Sequence, residues 1–157
     1  MRIRHAGIAP LAAVGALACA GCGSAADINI IREWSHALSA GDLDKAASYF
    51  ALPAIIENGT PPVRVTSRAQ AREFNQLLPC GAQLIATARH GAYIYAKFRL
   101  TNRLGGDCGT GTGATAATLF LIRNGKIAEW LRVPNPGGSQ QQPPSGPTPA
   151  RGAGQAV

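Results

Sequence analysis

Two carboxylates in extended segments, Glu57 and Glu129, are the side chains best suited by type and setting to general acid and base chemistry. Such work needs a carboxyl beside a cavity, where burial and neighbours bring its proton affinity near the working pH. The other acids have simpler duties. Asp42 and Asp44 flank an interhelix break, where they cap free N–H groups, while Glu33 and Glu73 fall on polar helix faces and Asp107 in a glycine-rich loop. Trp34, Tyr49, Asn58 and Trp130 are the aromatic and amide side chains that would line a hydrophobic pocket. Because a strand alternates its faces, Glu57 and Asn58 cannot both point into it.

Other chemistry has weaker support. Gly109-Thr110-Gly111-Thr112-Gly113 lacks the following Lys and the helix of a phosphate cradle, and reads as a loop. His5, His36 and His90 are scattered and the cysteines lack the paired spacing of zinc sites, so neither metal nor cofactor is expected. Ser35 and His36 have no placed acid partner for a hydrolase triad.

Periodicity shows which elements must position the candidates. Ile31, Trp34 and Leu38 recur at helical spacing, with Arg32, Glu33 and His36 on the other side and Asp27 placed to cap the start. Gly41 ends this helix, and Asp42 opens a second over residues 43–51 that Pro53 stops. A strand over 54–57 follows, and Asn58-Gly59-Thr60-Pro61-Pro62 is too turn-prone to extend it. Ser67-Arg68-Ala69-Gln70 is a capping-box start for a third helix that buries Ala71, Phe74 and Leu78. Strands are expected over 83–89, 92–101, 115–123 and 126–133, the last two joined by Asn124-Gly125, a strong hairpin signal. Ile94, Ala96, Phe98 and Leu100 share one strand face, and Tyr93, Tyr95, Lys97 and Arg99 the other.

The amphipathic helix, the break at Ala40-Gly41-Asp42-Leu43-Asp44, the short second helix and the strand resemble, in that order, the opening of the nuclear transport factor 2-like superfamily, which includes SnoaL-like and ketosteroid isomerase-like domains. The resemblance implies an α+β fold, with a cone-shaped curved antiparallel sheet packed on about three N-terminal helices around one pocket. The family's steroid isomerases share the Ala-Gly-Asp-Leu-Asp motif. There a helix Tyr and a protonated late-strand Asp hold an enolate oxygen, while an Asp after the first strand moves the proton. Carried onto this chain, those positions fall on Trp34, within a residue or two of Ala117, and on Asn58. None has the required group: Trp34 offers one N–H, Asn58 accepts no proton at neutral pH, and Ala117 has no polar atom. The isomerase mechanism is therefore not expected. Two functions stand: a domain that binds a small apolar ligand or a protein partner, including a second copy through its sheet, or a SnoaL-like cyclase, dehydratase or isomerase-type enzyme using Glu57 or Glu129.

Ahead of the domain, Arg2, Arg4 and His5 precede an apolar run over 8–20 that, at about 13 residues, is an export signal rather than a membrane span. Cys22 after Ala20-Gly21 resembles a bacterial lipoprotein box, whereas Ser24-Ala25-Ala26 resembles an ordinary cleavage site. The expectation is lipidation at Cys22, with secretion after Ala26 as the alternative; both put the domain outside the cytoplasm. With 1–26 assigned to export, 27–133 forms the domain, and the Pro, Gly and Gln enrichment of 134–157 reads as a disordered tail. Cys80 and Cys108 then remain for one bridge, closing about 29 residues and contributing roughly 3.5 kcal/mol in an oxidising compartment. The net charge of +7 is dispersed rather than gathered beside aromatic platforms, so no nucleic-acid role is expected.

Overall fold

The computed structural model describes residues 22–134, so residues 1–21 of the expected 1–26 export segment and residues 135–157 of the expected tail lie outside the described residues. Helical periodicity around Trp34 extends into α1, Cys22–Ser39. The helix starts earlier than the sequence suggests, and Asp27 therefore lies inside it and is not its cap. Gly41, at a φ of 72°, makes the turn that ends this segment, and a side chain there would meet the Leu104 carbonyl. Asp42 caps α2, Leu43–Ser48, by accepting the Lys45 N–H at 3.0 Å. This helix is shorter than expected because Phe50 already turns inward as the first residue of β1, Phe50–Glu57. Pro53 thus sits inside β1, after a cis bond to Leu52, rather than ending a helix. It occupies the stretch between Phe50 and Ile55 where pairing with the neighbouring strand is interrupted, so its missing N–H leaves no ladder bond unmade there.

Beyond the two prolines comes a short strand the sequence does not announce, β2, Val63–Val65, antiparallel to β1. Ser67 and Gln70 form the reciprocal capping box of α3, Arg68–Leu77. The rest is strand: β3, Gly81–His90; β4, Tyr93–Thr101; β5, Thr115–Arg123; and β6, Lys126–Val133. A single 3-10 turn, Gly109–Gly111, interrupts the loop between β4 and β5.

The six strands form one sheet in the order β2-β1-β6-β5-β4-β3. The curved, mainly antiparallel sheet implied by the resemblance is formed, with one parallel pair: β1 runs parallel to β6 and the other neighbours are antiparallel. Irregular pairing between Leu84 and Ala86 in β3, and between Leu121 and Ile122 in β5, adds the local bend and twist that bulges give a sheet. Register assigns the faces: Ile56, Trp130, Phe120 and Ile94 lie in line across the inner face, while Ile55, Glu129 and Leu121 lie in line across the outer one. The helices cover the inner face. Between them and the sheet, Trp34 meets Phe98, Phe120 and Trp130 edge-on at centroid distances of 6.1, 5.6 and 6.3 Å, and Phe74 meets Trp130 at 5.0 Å. Each such pair adds about 0.5–1.5 kcal/mol beyond the area it buries.

The loop after β4 is fastened at three points. Cys108 bonds to Cys80, with Cα atoms 4.4 Å apart, so the bridge expected from the sequence is formed. Arg103, 8% exposed, donates to the Leu78 carbonyl at 2.9 Å and to the Gln76 carbonyl at 3.1 Å. Those are carbonyls at the end of α3, where a cation also complements the helix dipole. Leu104 N–H reaches the Ser39 carbonyl at 3.3 Å, tying the same loop to the end of α1.

Candidate functional site

Strand alternation carries Trp130 and Arg132 to the same side of β6, and Ala116 and Thr118 to the same side of β5. With Phe98 and Leu100 of β4 and Ala82 of β3 they form the sheet wall of a cavity of about 130 Å³. Trp34 and Leu38 of α1 face them, and Leu78, Pro79 and Cys80 close the side where α3 turns into β3. Asn58, one residue beyond β1, completes the lining. The cavity therefore lies at the end of the sheet where β1, β4 and β6 finish and β3 and β5 begin.

One wall of this site is fully knitted. Trp34 Nε1 donates to Asn75 Oδ1 at 2.9 Å, and Asn75 Nδ2 donates in turn to the Ala71 carbonyl at 2.7 Å. Asn75 is fully buried, and these two bonds are what make a polar side chain tolerable there. Ser39 Oγ accepts the Ala82 N–H at 2.9 Å and donates to the Ser35 carbonyl at 2.8 Å, pinning the end of α1 to the start of β3. The other wall is not closed in this way. Trp130, 5% exposed, has an Nε1–H with no hydrogen-bond partner among the described residues. Nearby, Arg132 is exposed and its guanidinium donates to Asn58 Oδ1 over a long 3.4 Å.

Trp34, Asn58 and Trp130, three of the four pocket candidates, thus border one cavity. Tyr49 does not: its ring is half-buried against the core, and its carbonyl accepts the Ile127 N–H at 2.8 Å. Glu57 and Glu129 lie on the outer face, in register with Leu131 and Ile55. Glu129 is engaged there, accepting the Tyr93 hydroxyl at 2.8 Å; that bond, with some burial and the carboxylate's charge, raises the Tyr93 pKa, against a small opposing effect of Arg123. Among the described residues, the cavity lining contains no Asp, Glu or His. Ala117 lies on the outer face of β5, and its neighbours Ala116 and Thr118 line the cavity.

A second, larger groove of about 420 Å³ runs between β2 and α3, lined by Val63, Arg64, Glu73, Phe74 and Leu77 among others. Asn58 borders both spaces. No group of three metal-ligating side chains occurs among the described residues, and no described helix is long and apolar enough to cross a membrane. The disulfide is compatible with an extracytoplasmic address.

Thr118, Arg132 and Asn75 were not singled out in the sequence. Thr118 and Arg132 are two residues from Phe120 and Trp130, so alternation contains the signal once the inner face is known. Asn75 is four residues after Ala71, on a face otherwise apolar.

No protein-family model matches the chain, and no curated protein matches it. Solved structures do. A candidate polyketide cyclase from Sinorhizobium meliloti is 18% identical, with a TM-score of 0.53 over 67% of this chain and 94% of its own. A protein with a ketosteroid isomerase-like fold from Catenulispora acidiphila, in complex with trimethylamine, is 15% identical, with a TM-score of 0.51 over 66% of this chain and 83% of its own. A de novo designed protein with a curved β-sheet is also 15% identical and reaches 0.55 over 69% of this chain and 84% of its own. The chain has the nuclear transport factor 2-like fold: a curved mixed sheet wrapped on three helices. That a designed protein shares the shape is a reminder that the fold alone assigns no activity.

Proposed function

We propose that this chain is an extracytoplasmic binding domain, anchored through lipid on Cys22, whose cavity holds a small, mainly apolar molecule without transforming it. The observation that carries the reading is the lining itself: aromatic and aliphatic side chains with a few polar groups at one end, and both candidate carboxylates on the opposite face of the sheet. A cavity of this kind selects by shape and desolvation. Quenching of tryptophan fluorescence on titration with small aromatic hydrocarbons tests it directly, and Ala116→Leu, which fills the space, should abolish the response while leaving the fold intact. Retention of the response in that variant would place the ligand elsewhere. Anchoring is tested separately, by intact mass after detergent extraction. A lipid-modified Cys22 supports it, and a mature chain beginning at Asp27 without lipid refutes it.

The likeness to a candidate polyketide cyclase supports a second reading, an enzyme of the cyclase or dehydratase type. It requires a carboxylate to reach the cavity, so turnover lost on Glu57→Gln or Glu129→Gln would establish it. The outer face supports a protein partner of a simple kind, a second copy. Ile55, Leu119 and Leu131 are half-buried there, and no helix among the described residues packs over them. A dimer by light scattering that Leu131→Glu dissociates is the expected result.

A further inference from the structure

Resting on the binding reading just given, one hydroxyl narrows the chemistry of the ligand. Thr118 is 3% exposed and lines the cavity from β5. Its hydroxyl has no hydrogen-bond partner among the described residues. Nor is it sealed in protein: among the described residues the Trp130 N–H is the side-chain donor fully enclosed without a partner, and the Thr118 oxygen is not enclosed in that way. The little surface Thr118 keeps therefore opens on the cavity it lines. Hydroxyls of α1 are spent differently, since Ser35 donates to the Arg32 carbonyl and Ser39 to the Ser35 carbonyl. A buried hydroxyl that no protein group bonds is destabilising, whereas valine has the same shape and suits a strand as well.

A hydroxyl whose proton and lone pairs are all free complements a group that also has both, which is another hydroxyl; a carbonyl would use the proton alone. Register supplies the surroundings. Thr118 stands directly opposite Arg132 in the β5–β6 ladder, about 4.5–5.5 Å away between Cβ atoms, and the Arg132 guanidinium is engaged with Asn58 Oδ1. Arg132 is exposed, so water screens its charge, and Thr118 is the buried member of the lining with a free polar atom. We infer that the cavity selects neutral, ring-sized phenols over hydrocarbons of the same size, the ligand hydroxyl exchanging a hydrogen bond with Thr118 Oγ1. The size follows from the volume of about 130 Å³, since an apolar cavity of about 150 Å³ accepts benzene.

Phenol and toluene share one heavy-atom skeleton, so together they isolate the hydroxyl. Both are titrated by NMR shifts against the purified wild-type protein, Thr118→Val and Thr118→Ser. Water solvates phenol better than toluene, so the readout is the ratio of the toluene Kd to the phenol Kd within each protein, compared between proteins. One hydrogen bond should make that ratio roughly 2–12-fold larger in the wild type than in Thr118→Val. Thr118→Ser keeps the oxygen and should hold the ratio within about twofold of the wild type. Thr118→Val should unfold at the wild-type temperature or above it, because it removes a polar group that no protein group bonds. If it fails to fold, Thr118→Ala carries the same comparison. An unchanged ratio on loss of the hydroxyl, with toluene still bound, overturns the inference and leaves the binding reading standing. A ratio that falls as far in Thr118→Ser as in Thr118→Val shows that the oxygen is not what it reads, and overturns the inference too. Failure of both probes to bind the wild type overturns both readings.

Discussion

The two tryptophans of this domain face each other at 6.3 Å, yet they belong to differently finished regions. On the helix side, Trp34 is tied through Asn75 to the backbone of α3, and each polar atom in that chain of contacts has a partner. On the sheet side, Trp130 is nearly as buried, but its donor has no partner among the described residues, and two residues along its strand stands the exposed Arg132. The difference teaches where the described residues supply every polar partner and where they do not. A fully bonded wall specifies one packing; a buried donor without a partner costs stability that the rest of the core must offset.

The largest blow to this contrast should come from the bridge at the rim. Replacing both Cys80 and Cys108 by Ser should lower stability by roughly 3–4 kcal/mol, from the loop-closure entropy returned to the unfolded chain, as read by denaturant unfolding. Because Cys80 is itself part of the lining, probe affinity should fall as well, although no bond to the ligand has been removed. Next, Asn75→Leu should destabilise the domain by about 2–3 kcal/mol, since it strands the Trp34 donor in the core. A loss below about 0.5 kcal/mol would show that the knitted wall is not what holds that side together. The two regions can then be compared directly. Trp34→Phe leaves Asn75 Oδ1 without its donor, whereas Trp130→Phe removes a group that had no partner, so the first should be the more destabilising by about 1–2 kcal/mol in ligand-free protein. Equal losses would erase the distinction.

The smallest effect lies on the far face of the sheet. Tyr93 should titrate above the ordinary tyrosine value of 10.0, because its hydroxyl donates to the Glu129 carboxylate. Its folded pKa is raised, so the contribution to stability is complete below about pH 10 and disappears as pH rises through the folded value. Ultraviolet titration should show Tyr93 ionising late, and Glu129→Gln should lower its titration point.

How much of this could be read beforehand follows from what each feature depends on. The Asn124-Gly125 hairpin and the Ser67 to Gln70 capping box are local, and both appear where the sequence puts them. The face of α1 follows from Ile31, Trp34 and Leu38 alone, and the Cys80–Cys108 bridge from there being one pairing available. Val63-Arg64-Val65 escaped because three residues after two prolines give no periodicity to detect; pairing with β1 makes them a strand. Pro53 misled for a similar reason, since only the irregular β1–β6 register shows that its place needs no N–H. Within the site, Asn58 and Trp130 are matters of alternation, but the role of Arg103 and the missing partner of Trp130 depend on groups distant in the chain that only the assembled fold brings near.

The parallel pairing of β1 with β6 has a consequence for the time order of folding. The last described strand lies between the first and the fifth, so the sheet remains in two unconnected parts, β1–β2 and β3–β4–β5, until β6 enters. Trp130 and Ile127, which seal the core between those parts, arrive on that same strand. Such long-range closure slows folding, and a growing chain stays without its complete core until β6 emerges. A chain cut at Gly125 should therefore lack cooperative unfolding altogether, not merely a ligand.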